Sequence, residues 1–161
     1  MAQERELERE IVIMQRHLKA LRRLAGWTAE ELGKKLGITK QAVSALENNT
    51  SRMNQLHYLS LIYLFETEAD RSPGNPALNE VLDLLFSDPE YYESKRDEID
   101  RNVAEVAAAI GGGTSEKTST LLTKSLITPL LPIAVAAVGG VVVGMSIPFW
   151  KKKIGELGKK K

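Results

Sequence analysis

The chain reads as all-α. Three observations point there. Apolar residues recur every three or four positions from residue 5 to about residue 110, the spacing that gathers them on one side of a helix. Thr28, Thr39 and Asp88-Pro89 stand where helix N-caps belong. Leu126–Trp150 run for 25 residues without a charge, long enough for one wholly apolar helix. The expected architecture is an N-terminal five-helix bundle over residues 1–72, its fifth helix ending near residue 87. An acidic amphipathic helix at 88–110, a Gly/Ser/Thr linker at 111–125, an apolar helix at 126–150 and a Lys-rich tail at 151–161 complete it.

In residues 5–24, Leu7, Ile11, Met14, Leu18 and Leu21 alternate by four and three. That spacing gives a narrow apolar seam, for which two uses are open. It serves as the first helix of the bundle, or its residues 4–14 project and pair with another subunit. Thr28 then caps a second helix whose first turn holds Glu30 and Glu31, the charge that suits a helix N-terminus. Leu32 and Leu36 lie four apart on its inner face, and Gly33 sits where a second helix must pass closely. Gly37 suits a left-handed helix end. Ile38 plugs the core, Thr39 caps the next helix, and Val43 and Leu46 form that helix's inner stripe. Lys40, Gln41, Ser44 and Ala45 remain outside, followed by Glu47 and Asn48. A short-chained, polar and cationic ridge of this kind suits a helix that reads base edges in a DNA groove.

The stretch resembles the Cro/repressor-type (Xre) helix-turn-helix family, whose usual pattern is LKxLRxxxGxTxEELAxxLGhSxxxhSxxExG, h being apolar. Leu18-Lys19-Ala20-Leu21-Arg22, Gly26, Thr28, Glu30-Glu31-Leu32, Leu36-Gly37-Ile38-Thr39, Val43-Ser44 and Glu47 supply the matching positions. The likeness covers about residues 11–66 and implies a lambda-repressor-like bundle that binds double-stranded DNA. Two positions depart from the pattern. Gly33 replaces the commoner Ala, and Asn49 replaces the usual Gly, although Asn tolerates positive φ. The family's geometry implies that Lys40, Gln41 and Ser44 face base edges, with Lys suited to guanine and Gln to adenine. It places Thr28, Thr39 and Asn48 at phosphates, with Arg52 a further candidate. Lys34 and Lys35 add unspecific attraction or form a solvated face.

Residues 53–67 bring Leu56, Leu59, Ile62, Leu64 and Phe65 to close the bundle as a fourth helix. RSPGNP at 71–76 breaks the pattern. Asn75-Pro76 opens a fifth helix with Leu78, Val81, Leu82, Leu85 and Phe86. Asp88-Pro89 starts another, whose apolar positions Ile99, Val103, Val106, Ala107 and Ile110 need the bundle or a partner to cover them. Gly111-Gly112-Gly113-Thr114-Ser115 is a flexible linker by composition. Lys117-Thr118 follows, but Glu116 stands where a phosphate loop requires glycine.

Charge is unevenly spread. Residues 1–72 hold 11 basic and 10 acidic side chains, residues 73–116 hold 3 and 10, and residues 117–161 hold 8 and 1. The head has little net charge, so DNA affinity has to come from clustering. The acidic stretch belongs away from the DNA. Cysteine is absent, which excludes disulfides and cysteine-ligated zinc. MAQERELERE has no apolar run behind it, so no signal peptide is expected. No catalytic constellation, metal site or cofactor motif is visible. His17 and His57 are expected to be surface or packing residues.

The apolar run predicts a membrane-spanning helix, because about 20 helical residues cross a bilayer core. Trp150 with Lys151, Lys152 and Lys153 forms an interfacial anchor. Ala136, Gly140 and Gly144 lie four apart on one face, which lets two such helices approach closely. Burial inside a soluble oligomer is the other outcome. Six lysines after Trp150 favour a cytoplasmic tail, whereas DNA binding requires a cytoplasmic head. Either the tail crosses despite its charge, the segment folds back at Gly139-Gly140, or it inserts on a trigger. The expected protein is a non-enzymatic prokaryotic transcriptional regulator, homo-oligomeric, contacting DNA and lipid at the cytoplasmic face of the inner membrane. The alternative is a membrane-active effector of toxin or host-defence type, with the helix-turn-helix as a sensing or docking module.

Overall fold

The computed structural model describes residues 2–72 and 76–111. Among these the chain forms only helices: α1 (Ala2–Leu24), α2 (Ala29–Leu36), α3 (Lys40–Glu47), α4 (Gln55–Arg71), α5 (Pro76–Phe86), α6 (Pro89–Ser94) and α7 (Arg96–Gly111). One continuous core joins them. In α1, Ile13, Met14, Leu18, Leu21 and Leu24 are buried, and Leu7 and Ile11 pack beside them. The seam is therefore occupied within the bundle rather than by a second subunit. Glu10 is buried in it and accepts a hydrogen bond from the Tyr58 hydroxyl at 2.9 Å. Burial and that carboxylate hold the Tyr58 phenol well above its ordinary range.

Side chains start the later helices, Asp88 at the position expected of it and Asn54 at one that no expectation named. Asn54 Oδ1 accepts from the His57 N–H at 2.8 Å to open α4, and Asp88 Oδ1 accepts from the Tyr91 N–H at 2.9 Å, with Pro89 following, to open α6. Of the five core positions that periodicity assigns to α4, Ile62 and Phe65 are buried, whereas Leu59 and Leu64 are only half-buried. Leu56 is 72% exposed. The stripe that faces inward is Tyr58, Leu61, Ile62, Phe65 and Ala69, and Leu56 lies two residues before its start, roughly 200° round the helix.

The single helix expected at 88–110 is two. Lys95 ends α6, its N–H shared between the Tyr91 and Tyr92 carbonyls at 3.2 Å each. The halves serve different neighbours: α6 packs on α5, whereas α7 lies along α1. The bundle thus covers Ile99, Val103, Val106 and Ala107, all buried. A polar knot fastens this face. His17 Nε2 lies 2.8 Å from Asp100 Oδ1, and the fully buried Tyr92 donates its hydroxyl to the same oxygen at 2.8 Å. His17 is thus a packing residue, 4% exposed, and His57 is half-buried. Burial raises the Asp100 carboxyl, but hydrogen bonds from His17 and Tyr92 outweigh it and leave the group below its usual range.

Asp83 in α5 is the opposite case. Burial alone pushes its carboxyl up to about 6. A raised folded-state value means that the native state takes up a proton first as pH falls. This group therefore adds stability from about pH 7 down to about pH 4 and opposes folding above that window. Asp83→Asn is expected to be more stable than the parent by about 1–2 kcal/mol at pH 7 and equally stable at pH 4, in paired urea titrations. A gain of the same size at both pH values would exclude ionisation as its source.

The expected linker beyond residue 111, the apolar run 126–150 with Ala136, Gly140 and Gly144, and the Trp150–Lys153 anchor lie outside the described residues. Among the described residues no helix is long and apolar enough to cross a membrane, and no cluster of His, Asp and Glu is placed to hold a metal ion.

Candidate nucleic-acid interface

α2, the turn at Gly37 and α3 make up the site. Thr28 and Glu31 form a reciprocal cap: the Thr28 hydroxyl accepts from the Glu31 N–H at 3.1 Å, and Glu31 Oε2 accepts from the Thr28 N–H at 2.7 Å. That second bond holds the exposed Glu31 carboxyl below its usual range. Thr39 Oγ1 accepts from the Ala42 N–H at 3.1 Å to start α3. Between them Gly37 takes φ +71°, and the Gly37 and Ile38 N–H groups both reach the Gly33 carbonyl. Gly33 is where the fit is tightest. A Cβ there would lie 2.7 Å from the Ile38 carbonyl oxygen and 3.4 Å from the Lys40 N. The close approach expected of a second helix is made by the turn that leads into it.

Val43 and Leu46 anchor α3 inward. Its end follows a Schellman pattern: the Thr50 N–H reaches the Ala45 carbonyl at 2.9 Å, and the Asn49 N–H reaches that of Leu46 at 3.3 Å. Asn49 takes φ +57°, so asparagine fills the left-handed place that glycine usually holds. Lys40, Gln41, Ser44 and Asn48 are all exposed on the outer side, as are Thr28, Thr39 and Arg52 around it. Asn48 Nδ2 donates to Ser44 Oγ at 3.3 Å, which couples one base-reading candidate to one phosphate candidate.

Glu47 does not share that outer face. Its side chain is 7% exposed and accepts from Arg22, Nε to Oε1 at 2.5 Å and Nη2 to Oε2 at 3.2 Å. Arg22 also donates to the Trp27 carbonyl at 2.8 Å. The end of α3 is thereby pinned to α1 and to the turn before α2. Lys34 and Lys35 are likewise partnered. Lys34 meets Glu30 at 2.9 Å, and this lowers the Glu30 carboxyl. Lys35 Nζ sits 4.7 Å from the Trp27 ring centre, and Trp27 itself stacks on Phe65 at 5.6 Å. Both lysines are left with less freedom to serve DNA than a simple count of charges implies.

Gln15, which no motif marks, holds the underside of the site. Buried on α1, it donates to the Leu46 and Ser51 carbonyls at 3.0 and 2.6 Å and accepts from the Met53 N–H at 2.9 Å. One side chain thus ties α1 to both the end of α3 and the segment that carries Arg52. The one sign of it in the sequence is an amide four residues after Ile11, beside the apolar seam.

Residues 18–56 match the family model described as helix-turn-helix. No curated protein and no solved structure matches the chain. The geometry and the family match agree: residues 18–56 form an Xre-type helix-turn-helix domain, the type found in DNA-binding transcription regulators.

Proposed function

We propose that the chain is a sequence-specific transcriptional regulator that binds an operator as a dimer and is held at the inner membrane by residues 126–150. The observation that carries the DNA reading is the exposed row Lys40, Gln41, Ser44 and Asn48 on a helix fixed from behind by Val43, Leu46 and Glu47. Lys40 and Gln41 read bases, Ser44 assists, and Thr28, Thr39, Asn48 and Arg52 hold phosphates. Two half-sites about one helical turn apart would suit a two-fold dimer. Exposed Leu56 and Tyr63 on α4, 72% and 63% accessible and seven residues apart on one face, support self-association. The tether rests on the uncharged run and its lysine flank.

Gln41→Ala is expected to flatten base preference at its contact position by about 1–3 kcal/mol, while affinity for unrelated duplex stays within about twofold. Titrating full-length protein against operator and scrambled duplexes checks this, and an equal loss on both would remove Gln41 from base reading. Retention of the chain in membranes after a carbonate wash tests the tether. The same uncharged run supports a second reading, a membrane-active effector with the helix-turn-helix as its sensing module. Loss of membrane potential on induction, without duplex binding, would favour that one.

A further inference from the structure

α1 carries a basic row outside the set of residues assigned above to DNA. Arg5, Arg9, Val12 and Arg16 recur at intervals of four, three and four, so they share one helix face. All four are exposed, Val12 to 54%, although the opposite side of α1 is buried along most of its length. This row walls a groove of about 330 Å³, closed by Arg52 from the segment between α3 and α4 and by Tyr92 and Arg96 from α6 and α7.

The groove's charge is out of balance. Five guanidinium groups line it against two carboxylates, Glu8 and Glu93. Arg96 meets Glu93 at 3.5 Å and Arg16 meets Asp100 at 3.4 Å. Among the described residues Arg5, Arg9 and Arg52 form no ion pair. Like charges gathered in a concave site repel one another and raise the local positive potential, which an anion relieves. Guanidinium forks match phosphate oxygens in pairs. The volume lies within the range of small-molecule sites, and Val12 and Ile13 add an apolar wall that a bare anion would not need.

We propose that this groove binds a small molecule bearing two or more phosphates, held by Arg5, Arg9 and Arg52, with its apolar body against Val12. Arg52 also belongs to the DNA-facing segment, so an occupied groove withdraws a phosphate contact from the duplex and weakens DNA binding. That consequence rests on the DNA-binding reading, whereas ligand binding does not.

Calorimetric titration of the full chain with pyrophosphate and with adenosine triphosphate tests the site. Saturable one-to-one binding is expected, tighter for the nucleotide because it reaches the apolar wall. The double variant Arg5→Gln/Arg9→Gln is expected to weaken both by at least about tenfold and to leave the urea midpoint no lower than that of the parent. Gln41→Ala is expected to bind both as the parent does. Absence of saturable binding by either probe, or indifference to the double substitution, would overturn the proposal. Duplex binding separates the remaining case. At constant ionic strength pyrophosphate is expected to weaken it, and Arg5→Gln/Arg9→Gln to leave it nearly intact without ligand. If the double variant instead loses duplex affinity as Arg52→Gln does, the groove belongs to the DNA footprint and the small-molecule site is refuted. Should the chain bind no duplex at all, the calorimetric outcome still decides the ligand proposal.

Discussion

Arg22→Met is expected to lower the free energy of unfolding by about 3–5 kcal/mol, because it strands a buried carboxylate. Arg22 and Glu47 have side chains 11% and 7% exposed and meet through two nitrogen–oxygen contacts, at 2.5 and 3.2 Å. Removal of the guanidinium leaves Glu47 charged in a site with little water, and it takes the 2.8 Å bond away from the Trp27 carbonyl. Glu47 is the last residue of α3, so relief of its desolvation pulls that helix away from α1. The single variant is therefore expected to lose duplex binding along with stability. The double variant Arg22→Met/Glu47→Leu buries no charge, and it is expected to regain most of the loss and to keep its base preference. Urea titrations of the parent, Arg22→Met, Glu47→Leu and the double variant at pH 7 give the coupling energy directly. A single-variant cost below about 1 kcal/mol would rank the pair with ordinary surface ion pairs.

That pair marks the boundary of what the residues reveal before folding. Local signals were sufficient wherever the cause is local. Thr28, Thr39 and Asp88 name their own helix starts, Gly37 and Asn49 their left-handed turns, and the seam of α1 its buried side. The outward row of Lys40, Gln41 and Ser44 follows from spacing alone, since Val43 and Leu46 fix which side faces in. Contacts between distant segments were not legible. Glu47 reads as one more polar residue near a helix end, and only folding brings Arg22, 25 positions away, against it. Leu56 reads as core because leucines crowd around it, yet α4 turns Tyr58 inward in its place. The break at Lys95 carries no proline or glycine. It arises because α6 and α7 are drawn to different neighbours, a tertiary cause that outweighs helix propensity.

Gln15→Leu is expected to cost about 3 kcal/mol and to loosen the segment that carries Arg52. Leucine fills much the same space, so the loss is one of hydrogen bonding rather than packing. It leaves the Leu46 and Ser51 carbonyls and the Met53 N–H without the partner that now serves all three. Native-state hydrogen exchange should then show the Met53 amide, protected in the parent, exchanging faster by about two orders of magnitude. Gln15→Glu separates bonding from shape. Its carboxylate can still accept from Met53, but it turns an oxygen towards two carbonyl oxygens, a contact that favours the protonated acid. The folded-state pKa of that glutamate is therefore raised, and the sign follows. Relative to the parent, Gln15→Glu gains stability as pH falls from about 7 to about 4, where the acid donates to one of the carbonyls. Gln15→Leu shows no such recovery. If both variants stayed equally destabilised across that range, the amide's two donated bonds would not be what fastens α3 to α1.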